Sequence, residues 1–146
     1  MIDWTHIMIH HSLTKDSNTV SWNAIRKYHL GQGWLDIGYH FGLELVGDEY
    51  EALIGRPLNW EGSHCKEGGM NHKAIGICCV GNYDLVTPES KMLDTLVTRL
   101  ILPLMRAFKI PSKNIVFHRE FATYKSCPGI LFTKNMILSR IPGGIV

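Results

Sequence analysis

Ala74-Ile75-Gly76-Ile77-Cys78-Cys79-Val80, closed by Gly81-Asn82, is a continuous apolar run too short for a helix that stands by itself. A run apolar at every position needs cover on both faces, so it reads as the central strand of a parallel or mixed sheet. Thr5 to His11 has the same short, β-branched and apolar character. It is expected to be a buried first strand that ends in a polar loop, Ser12-Leu13-Thr14-Lys15-Asp16-Ser17-Asn18. Tyr39, Phe41, Leu43 and Leu45 alternate with His40, Gly42 and Glu44, and Gly47-Asp48 supplies a turn before Tyr50 to Ile54, which predicts a hairpin. Ile115 to His118 is expected to be a last short strand.

Between the strands lie helical patterns. Trp22, Ile25 and Tyr28 fall three apart behind Ser21, and Gly31 and Gly33 follow, so a helix capped by Ser21 and stopped by glycine is expected. Thr87-Pro88-Glu89 reads as the start of the longest helix. Leu93, Leu96, Val97, Leu100, Ile101 and Leu104 give it an apolar face, and Pro103 should kink or interrupt it. A terminal helix is expected over Ile130 to Ile141, before a Gly143-Gly144 tail. Gly55 to Met70 has no period and reads as a long surface loop. Strands and helices alternate, so the expected class is α/β: one domain over residues 1–146, core about 4–141, with a central mixed β-sheet flanked by helices.

Composition excludes several roles. The formal net charge is +2 and no run of five like charges occurs, so no sheath for nucleic acid is expected. The longest apolar run, near Leu100 to Met105, lies between Arg99 and Arg106 and is far short of the ~18 residues of a membrane span. The amino end, Met1-Ile2-Asp3-Trp4-Thr5-His6, has no basic segment before an apolar stretch, so synthesis in the cytoplasm without a signal peptide is expected. A domain of this size needs no partner to fold, and a monomer is expected. Cys65, Cys78, Cys79 and Cys127 lack the spacing of a disulfide scaffold.

Eight histidines, with no glycine-rich phosphate loop and no Gly-x-Ser-x-Gly elbow, favour a metal over a nucleotide. Neither His-Glu-x-x-His nor paired Cys-x-x-Cys is present, so a zinc site must be assembled from distant segments. His10 ends one expected strand, His118 ends another, and Cys127 closes the loop leaving it. Open α/β sheets place their sites at one edge of the strands, where these three side chains could meet around a single ion and leave a position for water.

Several segments carry a resemblance. Ile9-His10-His11-Ser12, Trp34 to Phe41, Gly62-Ser63-His64, Asn71 to Ile77, His118-Arg119-Glu120 and Lys125-Ser126-Cys127-Pro128-Gly129 resemble the zinc-dependent N-acetylmuramoyl-L-alanine amidases. That family includes short phage lysozymes of the amidase type and the peptidoglycan recognition proteins. The resemblance runs from about Trp4 to Ile141 in the same order. It implies one zinc ion (Zn2+) on His10, His118 and Cys127, with further catalytic positions at Tyr39 and Lys125. It also implies hydrolysis of the bond between N-acetylmuramic acid and L-alanine in peptidoglycan or muropeptides, and a phage or prophage endolysin that acts on the cell wall after release.

Adjacent strand residues face opposite ways, so only one of His10 and His11 can face the ion. The resemblance selects His10 and leaves His11 as a packed or hydrogen-bonded core histidine. His64 is a candidate substrate contact from the long loop, weighed against plain exposure. Cys65, Cys78 and Cys79 read as structural, and His6, His29, His40 and His72 receive no function. Two alternatives remain at this level: a cysteine peptidase with Cys127 as nucleophile and His118 as base, and a noncatalytic peptidoglycan-binding module using the same groove.

Overall fold

The computed structural model describes residues 1–13 and 21–143. The later part of the loop expected after Ser12, and Gly144 of the expected tail, lie outside them. Among the described residues, five strands form one mixed sheet: β1 (His6–His11), β2 (Phe41–Val46), β3 (Glu49–Ile54), β4 (Ala74–Cys79) and β5 (Ile115–Phe117), in the order β3-β2-β4-β1-β5. The apolar run from Ala74 is thus the middle strand. It pairs parallel with β1 and β2, while β2 and β3 form the antiparallel hairpin across Gly47-Asp48. β5 pairs parallel with the other edge of β1.

The pleat sorts the two central strands into two faces. Ile7, Ile9, Ile75, Ile77 and Cys79 pack into the main core with Leu93, Leu96, Val97, Leu100 and Ile101 of the long helix. Met8 joins Ala74, Val116, Cys65 and Met70 on the opposite side, and Cys78 packs there with Trp22, Ile37 and Val80. His10, two residues beyond Met8 and opposite Cys78 in the ladder, therefore faces away from the long helix. This second face is where the functional groups collect.

α1 (Trp22–Gly31) is capped as expected: the Ser21 hydroxyl accepts the Ala24 N–H at 3.1 Å, and its buried anchor is Trp22. The long helix begins at Ser90, two residues after the expected start. It consists of α2 (Ser90–Thr95), a π-helical stretch (Leu96–Ile101) and α3 (Leu102–Phe108). Pro103 has no N–H, and its ring would strike the carbonyl four residues back in an unbroken α-helix. The wider turn just before it, in which the Leu102 N–H reaches the Val97 carbonyl, is the interruption expected there.

Two expectations need correction. The terminal helix is only α4 (Lys134–Leu138), because the preceding backbone is bonded elsewhere. The Ile130 and Leu131 N–H groups donate to the Asp84 carboxylate and the Tyr83 carbonyl, and the Gly129 and Phe132 carbonyls accept from Arg119. The long loop over 55–70 is not purely a surface feature: Arg56, His64, Cys65 and Met70 are buried within it. The Arg56 guanidinium donates to the carbonyls of Ile37 and Glu61, each at 2.9 Å, and holds the loop against the sheet.

Candidate active site

His10 at the end of β1 and His118, the residue after β5, arrive side by side because β1 and β5 are parallel neighbours. Their rings lie 4.5 Å apart between centroids. Cys127 returns on the loop that follows, with its Sγ 3.7 Å from His10 Nδ1, and one ligand atom from each of the three residues falls within 4.8 Å of the others. A tetrahedral zinc ion with ordinary Zn–N and Zn–S bonds would hold such atoms about 3.5 Å apart, so the donor set and its spacing fit zinc.

The loop carrying Cys127 is tied down by groups that carry no recognisable sequence signal. The Arg119 backbone N–H donates to the Cys127 carbonyl at 2.9 Å. The Arg119 guanidinium donates to the carbonyls of Gly129 at 2.6 Å and Phe132 at 2.8 Å. Asp84 accepts from the Ser126 hydroxyl at 2.9 Å. The His11 N–H points at the Cys127 sulfur, 3.4 Å away. Arg119 was visible in the sequence beside His118, but no pattern there announces that its side chain turns back onto carbonyls ten and more residues later.

Burial sets the protonation of these groups. It lowers His10 well below the ordinary imidazole range, reinforced by His64 and His118. It brings His118 to about 4, with the Lys125 charge adding to the effect. Both rings are therefore neutral at physiological pH and keep lone pairs to offer a cation. Burial raises the Cys127 thiol to about 12, so without a cation its proton stays on sulfur. Burial, then the neighbouring Cys78, raises the Tyr39 hydroxyl well above its usual range, keeping it a hydrogen-bond donor.

The three residues line a cavity of about 500 Å³ shared with Tyr39, His64 and Lys125. Tyr39 lies just before β2, its ring 5.2 Å from that of His10, and Lys125 is exposed at the rim. All six positions singled out in the sequence thus meet in one place. His64 is buried rather than exposed: its Nδ1 is 2.8 Å from His10 Nε2 and its Nε2 is 3.0 Å from the Ala74 carbonyl.

The other histidines divide clearly. His11 faces the opposite side and accepts the Tyr83 N–H at 3.1 Å, the hydrogen-bonded core role expected of it. His40 accepts the Gly76 N–H at 3.1 Å. His29, given no function from sequence, accepts the Gly38 N–H at 2.9 Å and lies tilted against Trp34 on the cavity wall, with ring centroids 4.4 Å apart. Cys78 and Cys79 are buried, and Cys65 lies near Glu67 and His118 with its thiol directed at the Glu67 carbonyl, 3.6 Å away.

A mixed sheet whose parallel strand ends bring two neutral imidazoles to one open cavity, where a loop adds a thiol, defines an α/β protein with a candidate metal site. Residues 2–130 match the model of the N-acetylmuramoyl-L-alanine amidase family, and the chain belongs to that family. It is 47% identical to the endolysin of Escherichia phage T7 over 78 residues, 53% of this chain and 48% of that protein. The chain thus spans about half the length of that relative. Among solved structures, it is similar to N-acetylmuramoyl-L-alanine amidase LysC from Clostridium intestinale, with a TM-score of 0.81 and 27% identity over 95% of this chain and 85% of that one. It is also similar to a mutant of Drosophila PGRP-LB in complex with tracheal cytotoxin, with a TM-score of 0.72 and 26% identity over 90% of this chain and 79% of that one.

Proposed function

We propose that this protein hydrolyses the amide joining the lactyl group of N-acetylmuramic acid to L-alanine in peptidoglycan, with one zinc ion on His10, His118 and Cys127. The observation that carries this reading is the meeting of those three ligand atoms, within 4.8 Å of one another, in a cavity that also receives Tyr39 and Lys125. Zinc bound there would supply Lewis acidity, lowering the pKa of a water molecule and polarising a carbonyl. The chain's own task is to hold the substrate amide at the cavity floor and to stabilise the charge that grows on its oxygen. Tyr39, a neutral hydroxyl donor, and Lys125, an ammonium at the rim, are assigned that role.

The cysteine-peptidase alternative is disfavoured by the same electrostatics. A nucleophilic Cys127 needs its proton moved to His118, yet the thiol sits at about 12 and the imidazole at about 4. That difference keeps the proton on sulfur. The endolysin resemblance supports reading the protein as a phage or prophage product that meets peptidoglycan after release.

The test is digestion of purified peptidoglycan, with mass spectrometry of the products. Zinc-loaded protein should release peptides with free L-alanine amino termini, a chelator should stop the release, and added zinc should restore it. Chelator-insensitive cleavage with an acyl adduct on Cys127 would establish the peptidase instead. Muropeptide binding without cleavage would establish a binding module.

A further inference from the structure

From the hydrogen-bond chain behind the site, we infer that His64 is a positioning residue that fixes the ring tautomer of His10 and so aims Nδ1 at the ion. The inference rests on the zinc-amidase reading above. The Ala74 carbonyl can only accept, so the 3.0 Å contact requires His64 Nε2 to carry a proton. In the neutral ring Nδ1 is then an acceptor, and the group 2.8 Å from it, His10 Nε2, must donate. The one lone pair left to His10 is on Nδ1, the atom facing Cys127 Sγ at 3.7 Å. The ring partners of His64 are an imidazole and a carbonyl, with no anion to hold a second proton on it.

The surrounding chain is shaped to hold this ring. Gly76, in the middle of β4, and Gly62 both lie flat against it: a Cβ would come within 2.6 Å of the ring at Gly76 and 2.4 Å at Gly62. The Asn71 carboxamide oxygen accepts the backbone N–H of His64 at 2.7 Å and of Cys65 at 2.8 Å, setting the position from which the side chain enters. A carbonyl of the central strand thereby acts through two imidazoles on the metal position. Such outer partners commonly raise ligand basicity, and their loss costs about 10–100-fold in metal affinity.

The experiment compares zinc affinity, by chelator competition, in the unmodified protein, His64→Phe and His64→Asn. Phenylalanine fills the ring's place without an acceptor, whereas asparagine returns an oxygen near the Nδ1 position. The expected result is about 10–100-fold weaker zinc binding for His64→Phe, with most of the loss recovered in His64→Asn. A purely structural His64 would shift melting temperature but not zinc affinity. Equal affinity in a folded His64→Phe overturns the inference while leaving the zinc site standing. Absence of zinc binding in the unmodified protein overturns both. Nitrogen-15 NMR of the unmodified protein gives a readout independent of variant folding: His10 should carry its proton on Nε2 with and without zinc, and a proton on Nδ1 would refute the relay.

Discussion

Two of the three assigned ligands are held in opposite ways. His10 sits in a strand paired on both sides, at 1% exposure, and its ring is backed by His64. Cys127 sits on a loop with no ladder of its own, held by the Arg119 backbone and guanidinium and by Asp84. The sheet places one ligand by its register; side-chain clamps place the other. A site built this way keeps the imidazole fixed and depends for its last ligand on a few polar contacts.

Removal of the loop-borne ligand, Cys127→Ala, should have the largest effect. It should abolish amidase activity and weaken zinc binding by more than the roughly 100-fold expected of any outer partner, measured by chelator competition, while the sheet remains folded by circular dichroism. Next, Lys125→Ala or Tyr39→Phe should cut turnover by about 10²–10³ with zinc affinity unchanged. Assays at saturating zinc check this, and full activity in either variant would remove that residue from the mechanism. Arg119→Met loosens only the loop-borne ligand, so a drop of roughly tenfold in zinc affinity is expected, together with a lower melting temperature. A drop as large as that of Cys127→Ala would mean that the clamp carries more than the loop.

The response to acid leaves behaviour at neutral pH unchanged and separates the two regions least. Unfolded histidines take up protons near 6.5, whereas folded His11, His40 and His118 do so only at about 4, chiefly because of burial. Across that interval the unfolded chain binds more protons, so stability of the metal-free protein falls as pH drops from about 6.5 toward 4 and is fully present above it. Urea midpoints at pH 7, 6 and 5 should decline in that order; a flat series would show that these rings are not buried neutral.

Where local physics decides the outcome, the sequence was legible. An apolar run bounded by glycine reads as a two-sided strand, Ser21 ahead of that period as a helix start, and Pro103 as an interruption of the helix containing it. The ends of strands then told where His10 and His118 would go. Cys127 is placed only coarsely, as the residue closing the loop after His118, and Tyr39 and Lys125 rest on the family resemblance alone, because loop closure leaves no periodic trace. His64 was legible as a candidate but not as a buried link, since its partners, His10 and the Ala74 carbonyl, lie 54 positions before it and 10 after it. The shortened α4 was hidden for the same reason: the bonds that withhold residues 129–132 from the helix come from Asp84, Tyr83 and Arg119.

Anomalous diffraction at the zinc edge from a crystal grown with zinc would show where the ion sits. One strong peak is expected within bonding distance of His10 Nδ1, a ring nitrogen of His118 and Cys127 Sγ, with no fourth protein ligand. A peak elsewhere, or a fourth side chain closing the coordination, would contradict the three-ligand site.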